Sequence, residues 1–358
     1  MISLADAYHV VAATVPLYVT MILAYIAVKW WKIFTPDQCS GINKFVAKFS
    51  VPLLSFQIIS SNNIYKMSLK LILADFVQKL LAFLLLIAII KISARGGLKW
   101  IITGLSLTTL PNTLILGIPL IKAMYKGETV VLLAQIIFLQ SMMWYNLLLF
   151  LHELDAAKTR PAAPSSQGTG ETGTARELQS NEEEDAEAEP RTKRKMKIVP
   201  ILVTVGKKLI RNPNTYATLT GFIWSSIQFR WGLHMPEVVN QSIELLSNGG
   251  LGMAMFSLGL FMASQSRIIA CGPRIAMVAI GLKILIGPAL MAVASLVIGL
   301  RDTLFKVAIV QAALPQGIVP FVFAKEYNVH PAVLSTAILL GMLIALPVEL
   351  VFYFLLAI

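Results

Sequence analysis

The chain has 358 residues, of which 56% are hydrophobic and only 14% charged, and its formal net charge is +11. Soluble domains carry about 25% charged residues, so the composition argues for a polytopic membrane protein and against a soluble fold. The positive charge is not a nucleic-acid footprint: residues 151–197 hold eight Lys/Arg and ten Asp/Glu, and the other basic residues are scattered among the ends of apolar runs, where they report topology.

In chain order, apolar runs near 9–28, 43–60, 71–91, 101–124 and 130–151 each approach the roughly 17–25 residues that span a bilayer as a helix. The first lacks a basic leader and a small-residue cleavage site, so it is expected to remain as a helix. Residues 155–197 are rich in Ala, Pro, Ser, Gly, Thr and Glu, a composition that predicts disorder. Within them Glu182-Glu183-Glu184-Asp185 precedes Arg191-Thr192-Lys193-Arg194-Lys195. The pattern reads as a solvated linker with a basic membrane anchor, or as a tether for anionic lipid or phosphorylation. Residues 198–213 read as an amphipathic lead-in helix and 236–246 as a segment lying along the interface. Runs near 214–230, 245–263, 275–299, 303–324 and 332–356 complete the chain.

The expected fold is therefore all-α, with about ten transmembrane helices. Its parts are a first five-helix repeat (1–151), a disordered cytosolic loop (152–197) and a second five-helix repeat (198–358). Five is odd, so the second half enters the membrane from the opposite side, and the halves are inverted repeats. With the N-terminus lumenal or extracellular, ten Lys/Arg outside the loop region face the cytosol against seven on the other side, the bias that cytosolic segments show.

The repeat is carried by two proline-broken motifs, Leu110-Pro111-Asn112-Thr113-Leu114-Ile115-Leu116-Gly117-Ile118-Pro119 and Leu314-Pro315-Gln316-Gly317-Ile318-Val319-Pro320. Lys79 and Lys283 each stand 32 residues before the first proline of their motif. Phe49-Ser50-Val51-Pro52 and Phe256-Ser257-Leu258-Gly259 extend the likeness. A proline inside a helix removes a backbone hydrogen bond, and in hydrocarbon such a break survives only where it is buried in protein or lines a cavity. Paired breaks at matching positions point to a secondary transporter's substrate site. The freed half-helix N-termini suit an anion, and Asn112 and Gln316 can add side-chain hydrogen bonds.

Asp75 and Lys79 lie one turn apart within an apolar run, a pairing that reads either as a self-neutralising structural ion pair or as a protonatable support beside a substrate. Lys283 has Ala279, not an acid, one turn earlier, so it is expected to snorkel or to bond between helices. Glu349, near the end of the last run, is expected to snorkel to the interface. Gln140, Tyr145 and Asn146 add polar groups to the fifth run and Ser55 to the second, while Val51, Leu114, Ile115, Ile318 and Val319 offer apolar walls. Enzyme signatures are missing. His9, His152, His234 and His330 are scattered, Gly206-Lys207-Lys208 lacks the upstream glycine of a phosphate loop, and Cys39 and Cys271 form no metal or disulfide motif. No cofactor or metal is expected.

At these motifs the chain resembles the plant PIN-FORMED auxin carriers. The likeness also rests on Asn43-Lys44-Phe45-Val46-Ala47-Lys48-Phe49, Arg211-Asn212-Pro213-Asn214-Thr215-Tyr216 and Phe321-Val322-Phe323-Ala324-Lys325-Glu326-Tyr327-Asn328. It covers both apolar halves and departs at the short middle loop, as in members associated with the endoplasmic reticulum and sometimes the plasma membrane. The resemblance implies a bile-acid-symporter-like elevator fold, a homodimer, and export of the indole-3-acetate anion or related aromatic carboxylates. It implies crossover at Pro111 and Pro315, and a site of Val51, Asn112, Leu114, Ile318 and Val319 with Ser55, Ile115, Gln140 and Tyr145 nearby. It makes Asp75 and Lys79 a support site and Asn214 a scaffold-side contact. With no acid inside either broken motif, uniport is favoured over sodium or proton coupling. The alternatives are a proton-coupled carrier using Asp75, and a membrane auxin sensor that does not transport.

Overall fold

The computed structural model describes residues 4–93, 97–125, 129–159 and 198–356, and their regular structure is helical apart from one isolated β-bridge. The first part of the chain forms α1 (Leu4–Lys29), α2 (Pro36–Ser60), α3 (Leu69–Ser93), the short pair α4 (Leu98–Thr109) and α5 (Thr113–Tyr125), and α6 (Val130–Thr159). After the middle loop come α7 (Ile198–Ile210), α8 (Pro213–Trp231), α9 (Glu237–Ser264), α10 (Pro273–Ile298), the short pair α11 (Asp302–Ala313) and α12 (Ile318–Tyr327), and α13 (Pro331–Leu355). Seven of these, α1, α2, α3, α6, α9, α10 and α13, are long and apolar enough to cross a membrane. Their outer faces expose side chains such as Leu80, Leu84, Val238, Leu296 and Val297, an apolar surface too extensive for water.

Local sequence sets the helix ends. Thr35 and Gln38 form a reciprocal capping box at the start of α2, with Pro36 in the first turn. Asn212 caps α8 by accepting from the Asn214 N–H at 3.0 Å, and Gly232, at φ 68°, closes it in the left-handed conformation. Widened π-turns occur inside α2, α6 and α10 at Val46–Ser50, Gln140–Trp144 and Leu282–Ile286, and at the start of α5 at Thr113–Gly117. In three cases a proline stands two residues beyond the turn: Pro52, Pro119 and Pro288. Each proline lacks an N–H and crowds the carbonyl one turn back, and a π-turn opens the ladder where that strain falls.

Two boundaries differ from the sequence reading. Residues 236–246 do not lie apart along the interface. Helix α9 starts at Glu237 and runs without a break through Gly249 and Gly250 into the apolar stretch, because nothing between the polar and apolar parts offers a stop. Helix α6 continues to Thr159, past the expected loop start at 152, because Glu153 and Asp155 are buried. Both apolar runs that carry the motifs are divided into half-helices, as their prolines predict. The predicted disordered tract and its acidic and basic blocks lie outside the described residues.

The helices pack as two groups. Helix α1 runs along α9, α8 along α2, and α9 touches α2. These contacts are close enough to need glycine: a Cβ on Gly259 would collide with the Met21 carbonyl oxygen, and one on Gly221 would meet that of Phe56 at 3.1 Å. Small residues of this kind let helices associate in a membrane by backbone approach. In the other group α10 packs on α3, α11 and α13, α4 on α3, and α6 on α12. Helix α5 reaches across to α1.

The amphipathic α7 packs Ile201 and Val205 against Leu149 of α6, and Lys208 adds a polar tie to the second group. Lys208 Nζ lies 2.6 Å from Glu326 Oε1 and 3.2 Å from Glu153 Oε1, and it bonds the Tyr327 hydroxyl, which also donates to Glu153. Partial burial works against the Lys208 charge, but its hydrogen bonds to Glu326, Tyr327 and Glu153 outweigh that and hold its pKa above the ordinary lysine value.

The glycine contacts give a paired prediction. Gly259→Ala must push α1 from α9 and is expected to cost about 1–3 kcal/mol, the usual range for overpacking. Gly252→Ala meets open space and should be neutral or slightly stabilising. Thermal unfolding of the two detergent-purified variants beside wild type checks this, and equal midpoints would contradict it.

Candidate functional site

The two broken segments meet. After α4 the chain leaves helical geometry at Leu110, and after α11 it does so at Leu314. Pro111 and Gln316 then pair as a single antiparallel bridge. The Asn112 N–H donates to the Pro315 carbonyl at 2.8 Å, and the Gly317 N–H donates to the Leu110 carbonyl at 3.0 Å. Neither proline can donate, so the residues that follow them supply the bonds that hold the crossing closed. Gly317 has no room for a side chain: its Cβ would stand 3.0 Å from the Leu110 carbonyl oxygen.

From this bridge α5 and α12 depart with no side-chain cap at either start. The first N–H groups of a helix have no intrahelical partner, and they sit at the positive end of its dipole. Asn112 is 6% exposed, yet its Nδ2 has no hydrogen-bond partner, and neither does Oε1 of the fully buried Gln316. Leaving a buried polar atom unpaired costs about 1–3 kcal/mol. An unspent amide donor beside two helix N-termini is an arrangement that a small anion would complete.

The predicted wall residues lie on three helices. Val51 follows the first π-turn, Leu114 and Ile115 begin α5, and Ile318 and Val319 begin α12. Ile115 is buried, the other four are half-buried, and Val51, Leu114 and Ile318 pack on the same hydrophobic cluster. Gln140 donates to Thr113 Oγ1 at 3.1 Å and so reaches the start of α5. Tyr145 instead belongs to the cluster around Leu110 and Trp144. Ser55 and Asn214 are joined to each other: Ser55 Oγ donates to Asn214 Oδ1 at 2.9 Å, and Asn214 Nδ2 donates to Ser141 Oγ at 3.4 Å. This chain links α2, α8 and α6.

Asp75 and Lys79 pair directly on α3, with both side chains buried. The second Asp75 oxygen accepts from Trp144 Nε1 at 2.7 Å. Lys79 also donates to Gln78 Oε1 at 3.3 Å and lies 5.3 Å from the centroid of the Trp144 ring. Gln78 Nε2 donates to the Gly287 carbonyl at 3.1 Å, which ties α3 to α10 beside Lys283. Lys283 is fully buried and donates to the Ala312 carbonyl at 3.2 Å, at the end of α11. A lysine there complements the negative end of the half-helix dipole.

Sequence reasoning missed Trp144 and Gln78, since a single aromatic or amide in an apolar helix is more often packing. Trp144 stands one turn after Gln140 at the other end of its π-turn, which was the only available cue. The reading of Glu349 is corrected. It does not snorkel: α13 continues to Leu355, and Glu349 is fully buried with Tyr18 of α1, Tyr125 of α5 and Lys283 of α10 within electrostatic reach. Among the described residues no group of three His, Cys, Asp or Glu side chains is gathered to hold a metal.

The Asp75 network makes a stability prediction. Lys79→Met strands a buried carboxylate and should cost about 3–5 kcal/mol. Adding Asp75→Asn keeps an acceptor for Trp144 while removing the charge, and should recover most of the loss. Thermal midpoints of the single and double variants test this. A double variant no more stable than the single one would contradict the pairing.

The family described as "Membrane transport protein" matches residues 9–353. The chain is 56% identical over 366 aligned positions to auxin efflux carrier component 8 of Arabidopsis thaliana, covering 99% of this chain and 100% of that protein. It is 36% identical over 552 positions to probable auxin efflux carrier component 1b of Oryza sativa subsp. japonica, with the same coverage. It is 33% identical over 620 positions to auxin efflux carrier component 1 of Arabidopsis thaliana, again with 99% and 100% covered. The longer alignments are opened by residues that the last two proteins have and this chain lacks.

Proposed function

We propose that this chain, which belongs to the membrane transport protein family and within it to the PIN-type auxin efflux carriers, exports the indole-3-acetate anion by carrying it at the crossing of its two broken helices. It is a transporter and not an enzyme, and the substrate leaves as it entered. The observation that carries the reading is the unpartnered Asn112 Nδ2 beside the uncapped starts of α5 and α12.

The substrate carboxylate takes the Asn112 amide and the free N–H groups of the half-helices, where two dipoles favour negative charge. Val51, Leu114, Ile115, Ile318 and Val319 enclose the aromatic ring. Ser55, Gln140 and Tyr145 line its surroundings, and Asn214 contacts it from the α8 side. Apolar walls with a few aimed polar groups are what a small aromatic acid requires. Related aromatic carboxylates should compete.

The chain crosses the bilayer ten times, with α4–α5 and α11–α12 each counted as one broken span, in two inverted repeats of five around the cytosolic loop. Helices α1, α2, α8 and α9 act as the fixed scaffold, and α3–α6 with α10–α13 slide against them as an elevator. The denser packing within each group than between them supports this division. Transport is uniport down the electrochemical gradient. Asp75 is already committed to Lys79 and Trp144, which speaks against its use as a coupling acid. The short loop fits residence in the endoplasmic reticulum membrane, the plasma membrane or both, with a lumenal or extracellular N-terminus, and the working unit is a homodimer.

Removing a hydrogen bond to a charged group costs about 1.5–3 kcal/mol. Asn112→Ala should therefore weaken indole-3-acetate binding roughly ten- to hundredfold with little change in thermal stability, since the Nδ2 it removes has no partner to lose. Direct binding to the purified protein measures this. Unchanged affinity would move the site away from the crossover.

A further inference from the structure

Glu349 has no place in the transport site described above, and its surroundings are unusual. It lies in α13 with no exposed surface, and neither carboxylate oxygen has a hydrogen-bond donor. A buried ionised carboxylate without partners is among the costliest groups in a protein, and inside a membrane such a residue marks function more often than structure. The groups that face it come from each side. Lys283 approaches from α10, Tyr18 from α1 and Tyr125 from α5, while Tyr353 stacks edge-on against Tyr125 from α13 itself. The Tyr125 hydroxyl is also buried and unpartnered, whereas Tyr353 donates to the Met124 carbonyl at 2.9 Å. Lys283 in turn feels Lys79 as well as Glu349, and its ammonium is bonded to the Ala312 carbonyl just ahead of the α11 break.

We propose that Glu349 is a proton-binding site that sets the charge behind the crossover, and through it the affinity for the transported anion. The two states differ by one proton on the carboxyl group. With Glu349 ionised, its charge offsets that of Lys283, and the end of α11 is close to neutral. With Glu349 protonated, Lys283 stands alone as a positive charge, and the site favours an anion. The proton resides on Glu349 and not on Lys283, because the ammonium holds a carbonyl acceptor at a helix C-terminus while the carboxylate holds no donor. The affinity link rests on the transport reading given above, whereas the proton site stands without it.

Infrared titration of the purified full chain tests the proton site directly, with no ligand and no flux. Over about pH 5 to 9 the wild type should show the carbonyl stretch of a protonated carboxyl group that fades as pH rises. Glu349→Gln should lack it, and Asp75→Asn should keep it. Glu349→Asp retains a titrating band at a different pH and guards against a Gln variant that fails to fold. No titrating band in the wild type, or one that survives Glu349→Gln, would overturn the assignment. A second arm measures indole-3-acetate affinity above about pH 6, where an ordinary carboxylic acid is ionised. A unit charge at a separation on the order of 10 Å and an effective dielectric near 20 alters an affinity on the order of tenfold. The wild type should bind more tightly by that factor at the acidic end, and Glu349→Gln should hold the tight value throughout. A titrating Glu349 with flat affinity would overturn the link to the anion while leaving the proton site. Absence of indole-3-acetate binding at every pH would count against the transport reading, and the infrared result would be unaffected.

Discussion

A helix that breaks inside hydrocarbon must satisfy the backbone groups it frees, and the rest of this structure follows from how that is done. Two breaks, at Pro111 and Pro315, are placed against each other so that each supplies part of what the other lacks. Two backbone bonds, from Asn112 to the Pro315 carbonyl and from Gly317 to the Leu110 carbonyl, close the crossing. They leave the helix starts on either side uncapped. Those ends are acceptable in a membrane protein only because they are shielded by surrounding helices, and their unspent donors are what the proposed anion site rests on.

The charges around the crossing are arranged with the same economy. The half-helix ends carry opposite partial charges. Lys283 sits at the C-terminal end of α11, and Lys79 is held beside Asp75, Trp144 and Gln78. Gln78 reaches the Gly287 carbonyl on α10, near Lys283. The two lysines thus belong to one polar layer behind the crossing, Lys79 paired with an acid on its own helix and Lys283 bonded to a backbone carbonyl. Buried ion pairs contribute little net stability but penalise the loss of either partner, so this layer fixes geometry more than it adds free energy.

What the sequence revealed was local. Pro111 and Pro315 marked the breaks, because proline's missing N–H acts on its own segment. Asp75 and Lys79 were readable as neighbours one turn apart. The π-turns ahead of Pro52, Pro119 and Pro288 had the same kind of cue. What stayed hidden depended on contacts between helices distant in sequence. Trp144 reaches Asp75 across 69 positions, and Ser55 meets Asn214 across 159. Glu349 looked interfacial from its position in the last run, and only the arrival of α1, α5 and α10 buries it. The 236–246 segment looked separate because its polarity changes, yet backbone hydrogen bonding continued through it. Family resemblance supplied the expected substrate and site, which residue patterns alone left as a small anion.

The central claim, that an anion crosses at this site uncoupled from any cation, has a direct electrical test. Proteoliposomes loaded with indole-3-acetate would be held under voltage clamp on a supported membrane, and the reversal potential of the protein-dependent current recorded. The account predicts a reversal that follows the substrate gradient alone, about 59 mV per tenfold for one charge, and is unmoved by imposed pH or sodium gradients. A reversal potential that shifts with either cation gradient would contradict it.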